Sequence, residues 1–374
     1  MVYLDYSATT PINEEVLDTF NKASLNFIGN PNSLHKLGVD AKNLIDSATK
    51  QIANIIGVKP EEIIYTSGSS ESNNTAIKGI ALKYQNRGKH IITTKLEHSS
   101  VIAPITYLQN NGFDIDFVNL DSNGLVDLNH LKSLLRDDTI LVSINSVNSE
   151  VGVLQPIDEI GKIIKEYPKC FFHTDITQSV GKVEIPLDNV DLASFSAHKF
   201  YGPKGIGVLV KKEKVQIESL IHGGKSTTAY RSGTPALPLI VSLSKALRLA
   251  VDNLNDKYNY IKELNESIKN ELSKYDDVYV NSNEYSIPHI LNISIIGVKP
   301  ETMLHALEEK DIYISTQSAC SSGNTSTSVM SITNDIERAK SSIRVSLSSL
   351  TTKEELKYFL ECFDTCYKHL KFKD

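Results

Sequence analysis

The sequence predicts an α/β fold: a large domain built on a mostly parallel sheet with helices on both faces, and a smaller α+β domain. Three features point there. Between residues 62 and 210, short apolar runs alternate with stretches of helical period. Several of these runs end in polar, chemistry-bearing residues, where open parallel sheets hold their ligands. Beyond residue 275 the segments become shorter and more mixed.

Taken in order, residues 4–11 form a polar-aromatic opening, and Pro11 is placed to start a helix running to about residue 25. Gly29-Asn30-Pro31-Asn32-Ser33 is a turn cluster. Across 38–57 the residues Val39, Leu44, Ile45, Ala48, Ile52, Ile55 and Ile56 recur at helical spacing. A short strand over 62–65 runs into Thr66-Ser67-Gly68-Ser69-Ser70-Glu71-Ser72-Asn73, with a helix from about 73 to 84. A Gly/Ser loop entering a helix offers backbone N–H groups, hydroxyls and a positive helix end, which suit a phosphate. A serine N-cap without ligand fits the same residues.

The alternation continues with strands over 89–93, 114–119, 139–147 and 170–174, and helices over 101–110, 128–135 and 157–166. His98, Ser149, Asp175 and Gln178 fall at or just after strand ends. Residues 190–195 and 206–210 read as two more strands, joined by Ser196-Ala197-His198-Lys199 and a glycine turn. A lysine on such a scaffold can lose its proton and form a Schiff base with a carbonyl, although a surface lysine in a polar loop reads the same way in isolation. Residues 241–275 are helical throughout. Strands over 290–296, 312–315 and 343–347, a helix over 301–309 and a closing helix over 354–370 complete the chain. The expected division is a large domain over 15–255 and a small domain from 1–14 and 256–374.

Composition sets limits. A net charge of −6 gives no support for a large basic nucleic-acid surface. No run of about 18 apolar residues is present, and the opening residues carry no secretory signal, so a reducing cytoplasm is expected. Cys170 beside Phe171-Phe172 reads as packing, and Cys362 and Cys366 lack the companions of a zinc site, so no metal is expected. Residues 316–328 contain no charge and no large apolar side chain, so this stretch is expected to be mobile and its Cys320 exposed.

A Schiff-base lysine, a carboxylate for a ring nitrogen, a phosphate cradle and a neighbouring aromatic ring together describe pyridoxal phosphate. Lys199 would carry the aldehyde, and Asp175 would keep the pyridinium protonated. Gln178 can donate to the phenolic oxygen, and His98 can stack on the ring and move protons. Ser69, Ser70, Ser196 and His198 can hold the phosphate. The glycines of Gly202-Pro203-Lys204-Gly205-Ile206-Gly207 do not open a helix, which weighs against a nicotinamide site.

On these residues the chain resembles the cysteine desulfurases of the class V aminotransferase group, enzymes of fold type I. The likeness rests on Asp5-Tyr6-Ser7-Ala8-Thr9-Thr10-Pro11, the turn at 29–33, the 66–73 loop, Glu97-His98, His173-Thr174-Asp175-Ile176-Thr177-Gln178, the 194–205 segment, Arg231-Ser232-Gly233-Thr234, Ser318-Ala319-Cys320 and Ser342-Ile343-Arg344. The resemblance implies that Lys199 also serves as the base at the substrate Cα, and that Cys320 takes the sulfur as a persulfide. It implies that Arg344 binds the substrate carboxylate and that Ser149 contacts the cofactor. It further implies that Thr234 reaches the phosphate of a neighbouring subunit, hence a homodimer. The loop around Cys320 resembles the longer-loop subgroup. Departures are Ser149 where asparagine is frequent, residues 225–229 in place of a Gly-Gln-Glu-like run, and Gln317 in place of glycine. The Asn148-Ser149-Glu150 variant resembles the branch associated with tRNA thiolation. The implied reaction converts L-cysteine to L-alanine and passes sulfur to an acceptor protein for iron–sulfur cluster assembly or tRNA thiolation, without direct nucleic-acid or membrane contact. A selenocysteine lyase, an aminotransferase of the same fold and a non-catalytic sulfur-carrier scaffold are the alternatives.

Overall fold

A computed structural model describes residues 1–316 and 325–371. The first half contains β1 (Val2–Tyr3), α1 (Glu14–Asn26), α2 (Lys36–Ile56), β2 (Ile63–Thr66), α3 (Ser69–Tyr84), β3 (His90–Thr93), α4 (Ser99–Gln109), β4 (Asp114–Phe117), α5 (Leu128–Leu134), β5 (Thr139–Ser143), α6 (Ile157–Lys165) and β6 (Phe171–Asp175). The second contains β7 (Leu192–Ser196), β8 (Gly207–Lys211), α7 (Leu237–Val251), α8 (Leu254–Leu272), β9 (Val278–Val280), β10 (Ile290–Ile295), α9 (Pro300–Glu308), β11 (Ile312–Tyr313), α10 (Thr327–Thr333), α11 (Ile336–Lys340), β12 (Ser342–Ser346) and α12 (Lys353–Lys371).

Seven strands form the main sheet in the order β2-β8-β7-β6-β5-β3-β4. Every pairing is parallel except the two made by β8. Both faces are covered, so the central strands are apolar on both sides and alternate residues enter different cores. Ile91 and Leu141 join α3 and α4 on one face, while Ile92 and Val142 join α2, α6 and α7 on the other. A separate core gathers Val2, Leu4, α8, α9, α12 and the antiparallel sheet β12-β10-β9. In it β1 pairs in parallel with β11.

Several boundaries differ from expectation. Helix α1 starts at Glu14, because the Asn13 side chain accepts the Glu15 N–H at 2.9 Å. Helix α3 starts at Ser69, four residues early. Gly68, with a φ of 155°, turns the chain there, and Glu71 Oε2 accepts the Ser67 N–H at 2.7 Å. The helical stretch over 241–275 is two helices, broken where Asn253 adopts a left-handed φ of 51°. The strand expected over 139–147 stops at Ser143. The low-complexity stretch was expected to lack an anchor, yet its described end is anchored: Ser326 and Ser328 are buried and begin α10. Cys320 and Gln317 lie outside the described residues.

Cys170 sits in the main core, and burial pushes its thiol well above the usual range. Cys362 and Cys366 face the smaller core from α12. Among the described residues no three His, Cys, Asp or Glu side chains group as metal ligands, and no helix is long and apolar enough to cross a membrane.

Candidate active site

The carboxyl ends of β3, β5, β6 and β7 open onto a cavity of about 230 Å³. Ser69, Ser70, His98, Ser149, Asp175, Gln178, His198, Lys199 and Arg344 all line it, although they are scattered over 276 positions in sequence. Ser196 lies one bond behind: its hydroxyl accepts the Ser69 N–H at 2.6 Å and donates to Ser69 Oγ at 3.0 Å. Thr234 is exposed and does not line the cavity. Cys320 falls outside the described residues. The C-terminal flank of its segment is tied to the cavity wall, because Ser326 Oγ donates to Glu150 at 2.6 Å and Asn148 donates to Ser328.

Lys199 Nζ donates to the carbonyls of Ser7 and Ala8 at 2.6 and 2.8 Å. Asp175 closes β6, where Asn73 Nδ2 donates to its Oδ2 at 2.8 Å and the Thr177 N–H to its Oδ1 at 2.9 Å. The second hydrogen of the same Asn73 amide goes to Ser100 Oγ at 2.9 Å. Ser100 Oγ lies 2.8 Å from His98 Nδ1, which also accepts the Ser100 backbone N–H at 3.1 Å. A backbone N–H only donates, so Nδ1 is an acceptor and the neutral ring carries its proton on Nε2. Burial, with Lys199 assisting against the pull of Asp175, lowers the His98 pKa and keeps the ring neutral. His198 falls to about 4 through burial and the nearby lysines, Lys199 first.

Arg344 is 2% exposed on β12. Its Nη1 donates to the Ser149 carbonyl at 2.9 Å and its Nη2 pairs with Asp5 at 2.8 Å, while Nε is buried without a partner. Ser149 therefore meets Arg344 through its backbone carbonyl. The reading from sequence missed Asn73, Ser100 and the Ser7 and Ala8 carbonyls. It also missed Glu97, whose Oε1 accepts the Asn145 N–H and the Thr94 hydroxyl. The Glu97-His98 pair was a signal for the last. Nothing in composition marks the others.

These donors suit pyridoxal phosphate. An amine, a carboxylate with two oriented donors behind it, and a helix start lined by serines lie around one cavity. The helix start needs glycine: a Cβ on Gly207 would come within 2.6 Å of the Phe195 carbonyl and 2.7 Å of Gly68 Cα. Fold and donor set define a pyridoxal-phosphate enzyme of the α/β type. Comparison narrows the class. The model of the family described as aminotransferase class-V matches residues 2–359. A cysteine desulfurase IscS of Dictyoglomus turgidum is 42% identical, over 99% of this chain and 95% of its own. A NifS-like protein structure superposes with a TM-score of 0.93 at 34% identity, covering 100% of both chains. A structure described as SspA in complex with cysteine gives 0.83 at 32% identity, covering 94% of this chain and 100% of its own. The chain belongs to the class-V aminotransferase family.

Proposed function

We infer that this protein is a pyridoxal-phosphate-dependent cysteine desulfurase that converts L-cysteine to L-alanine and takes the sulfur on Cys320 as a persulfide. The observation that carries the reading is the meeting of Lys199, Asp175, His98 and Arg344 on one cavity, in a chain 42% identical to a cysteine desulfurase over nearly its whole length. Bound pyridoxal phosphate supplies the electron sink for a carbanion at the substrate Cα. Lys199 holds the cofactor aldehyde and moves the Cα proton. Asp175 holds a proton at the ring nitrogen, and Gln178 donates to the phenolic oxygen. Ser69, Ser70, Ser196 and His198 hold the phosphate. Arg344, on the cavity wall, takes the substrate carboxylate. His98 donates from Nε2. The Cys320 thiolate attacks the substrate sulfur, the C–S pair passes to carbon, and a proton on that carbon completes alanine.

The active unit is a homodimer. Leu25, Ile28 and Leu34 are 78, 76 and 97% exposed, and Leu37 and Val39 beside them are half-exposed, an apolar strip that supports a covered face. Thr234, exposed and away from its own cavity, serves the neighbouring subunit. The separate core containing Val2, Leu4 and residues beyond 260 supports the two domains, 15–255 and 1–14 with 256–374. The acceptor is a cytoplasmic protein of iron–sulfur cluster assembly or tRNA thiolation.

The test is incubation with L-cysteine, quantification of alanine, and mass spectrometry of the thiols. The added sulfur is expected on the peptide containing Cys320. Cys320→Ser should stay yellow but release almost no alanine. Sulfur on Cys362 or Cys366, or normal turnover by the serine variant, would overturn the mechanism. Turnover confined to selenocysteine would make the protein a selenocysteine lyase.

A further inference from the structure

Behind the cofactor cavity lies a second one of about 200 Å³, lined by Lys182, Lys199, His289, Tyr201, Leu249 and Ile261 among others. Lys182 stands on the partition between the two. It is buried, and its polar side-chain partner is Gln178, whose Oε1 accepts from Lys182 Nζ at 2.8 Å. On its other side Gln178 donates from Nε2 to the Ser7 carbonyl at 3.0 Å. That carbonyl also receives Lys199.

A carboxamide is nearly symmetric in shape, and its two flips differ only in which end donates. A pocket that needs a donor must fix the flip at both ends, and here the Ser7 carbonyl takes an N–H while the oxygen needs a donor behind it. Lys182 can do this because an amine or ammonium always has an N–H to give. We propose that Lys182 is a positioning residue: it holds the oxygen of Gln178 and so keeps the NH₂ group presented to the phenolic oxygen of the cofactor. The proposal rests on the reading of Gln178 as the donor to that oxygen. It accounts for a buried lysine that the reaction itself does not use. The charges that reach Lys182 are those of Lys199 and Arg344, both positive, and His289 and His198 nearby are held neutral. With burial as the larger cause, they lower Lys182 to about 7. Such a group is costly to keep unless its position has a use, and its hold on Gln178 survives in either protonation state.

The experiment is a pH titration of the visible absorption of the purified holoenzyme. Lys182→Met removes the donor and keeps the apolar stem of the side chain. Gln178 Oε1 is then left buried without its donor and the amide is held by the Ser7 carbonyl alone, so its NH₂ group is less firmly presented to the phenolate and the pH of the colour transition should rise by about one unit, the size of one charge-assisted hydrogen bond. The value of kcat should fall about tenfold with KM for cysteine little changed. Lys182→Arg keeps a donor, has the second cavity to extend into, and should restore the wild-type transition. Should Lys182→Met fail to fold, Lys182→Gln, one atom too short to reach, is read in the same way. Gln178→Ala should shift the transition alone, and adding Lys182→Met to it should shift it no further. If Gln178→Ala shifts the colour and Lys182→Met does not, the positioning role is wrong. If Gln178→Ala has no effect, the reading of Gln178 itself is wrong.

Discussion

At the scale of single residues, one acid next to the cavity residues His98 and Asn145 is held in an unusual state. Glu97 is partly buried, with Oε2 itself buried and lacking a hydrogen-bond partner, and its pKa is raised from 4.5 to about 8, first by desolvation and further by Asp175. The folded protein therefore keeps a proton that the unfolded chain releases above its ordinary pKa. The folded state binds more protons between about pH 4.5 and 8, so this group's contribution to stability falls as pH rises through that window and is level beyond it. Glu97→Gln removes the titration while keeping the shape. Its thermal unfolding at pH 8 should occur at higher temperature than that of the wild type, by an amount on the order of 3 kcal/mol in stability, with the two close together at pH 4. Equal pH dependence in both proteins would show that Glu97 is not held protonated. Lys199 and Asp175 were legible in sequence because each follows an apolar run beside distinctive neighbours, while Arg344 came only with the family resemblance that Ser342-Ile343-Arg344 helps to carry. Asn73 and Ser100, which orient Asp175 and His98, were not: each is an ordinary polar residue in a helix, and only the fold brings them together.

At the scale of elements, the start of α3 explains both a success and a miss. Ser and Gly read as loop, so the helix was expected from residue 73. The first turn forms because Gly68 reverses the chain and the Thr66 and Ser72 hydroxyls lie 2.8 Å apart. That earlier start places Ser69 and Ser70, rather than a loop, beside the cavity. The arrangement depends on β8 passing close to Gly68. Gly207→Ala would force a methyl between two backbones, an overpacking that costs about 1–3 kcal/mol. Its cofactor affinity, followed by equilibrium dialysis, should fall severalfold while far-ultraviolet circular dichroism stays unchanged. Undiminished affinity would show that the helix start tolerates displacement. The parallel strands were legible because burial on both faces demands continuous apolar runs. The two-residue strand β1 was not, because so few residues carry no period, whereas its partner β11 falls within the strand expected over 312–315.

At the scale of the whole molecule, the apolar strip around Leu25, Ile28 and Leu34 predicts the oligomeric state. Light scattering should give twice the chain mass, and Leu34→Glu combined with Leu37→Glu should shift the population toward the monomer and lower activity. A monomer in the unmodified protein would remove the role proposed for Thr234. The fold class followed from alternation alone, whereas the contribution of the opening residues to the site did not. Ser7 and Asp5 reach their partners Ser346 and Arg344 across 339 positions. This separation has a consequence in time. A ribosome adding about 5–20 residues per second releases Asp5 and Ser7 long before β12 exists. The main sheet can be complete while these residues still wait, and closing so long a loop is slow. The wall of the cavity that carries the Ser7 and Ala8 carbonyls is thus among the first parts of the protein to be made, yet it receives its last anchors, Arg344 and Ser346, near the end, and the cofactor meets a finished site only after translation has passed Ser346.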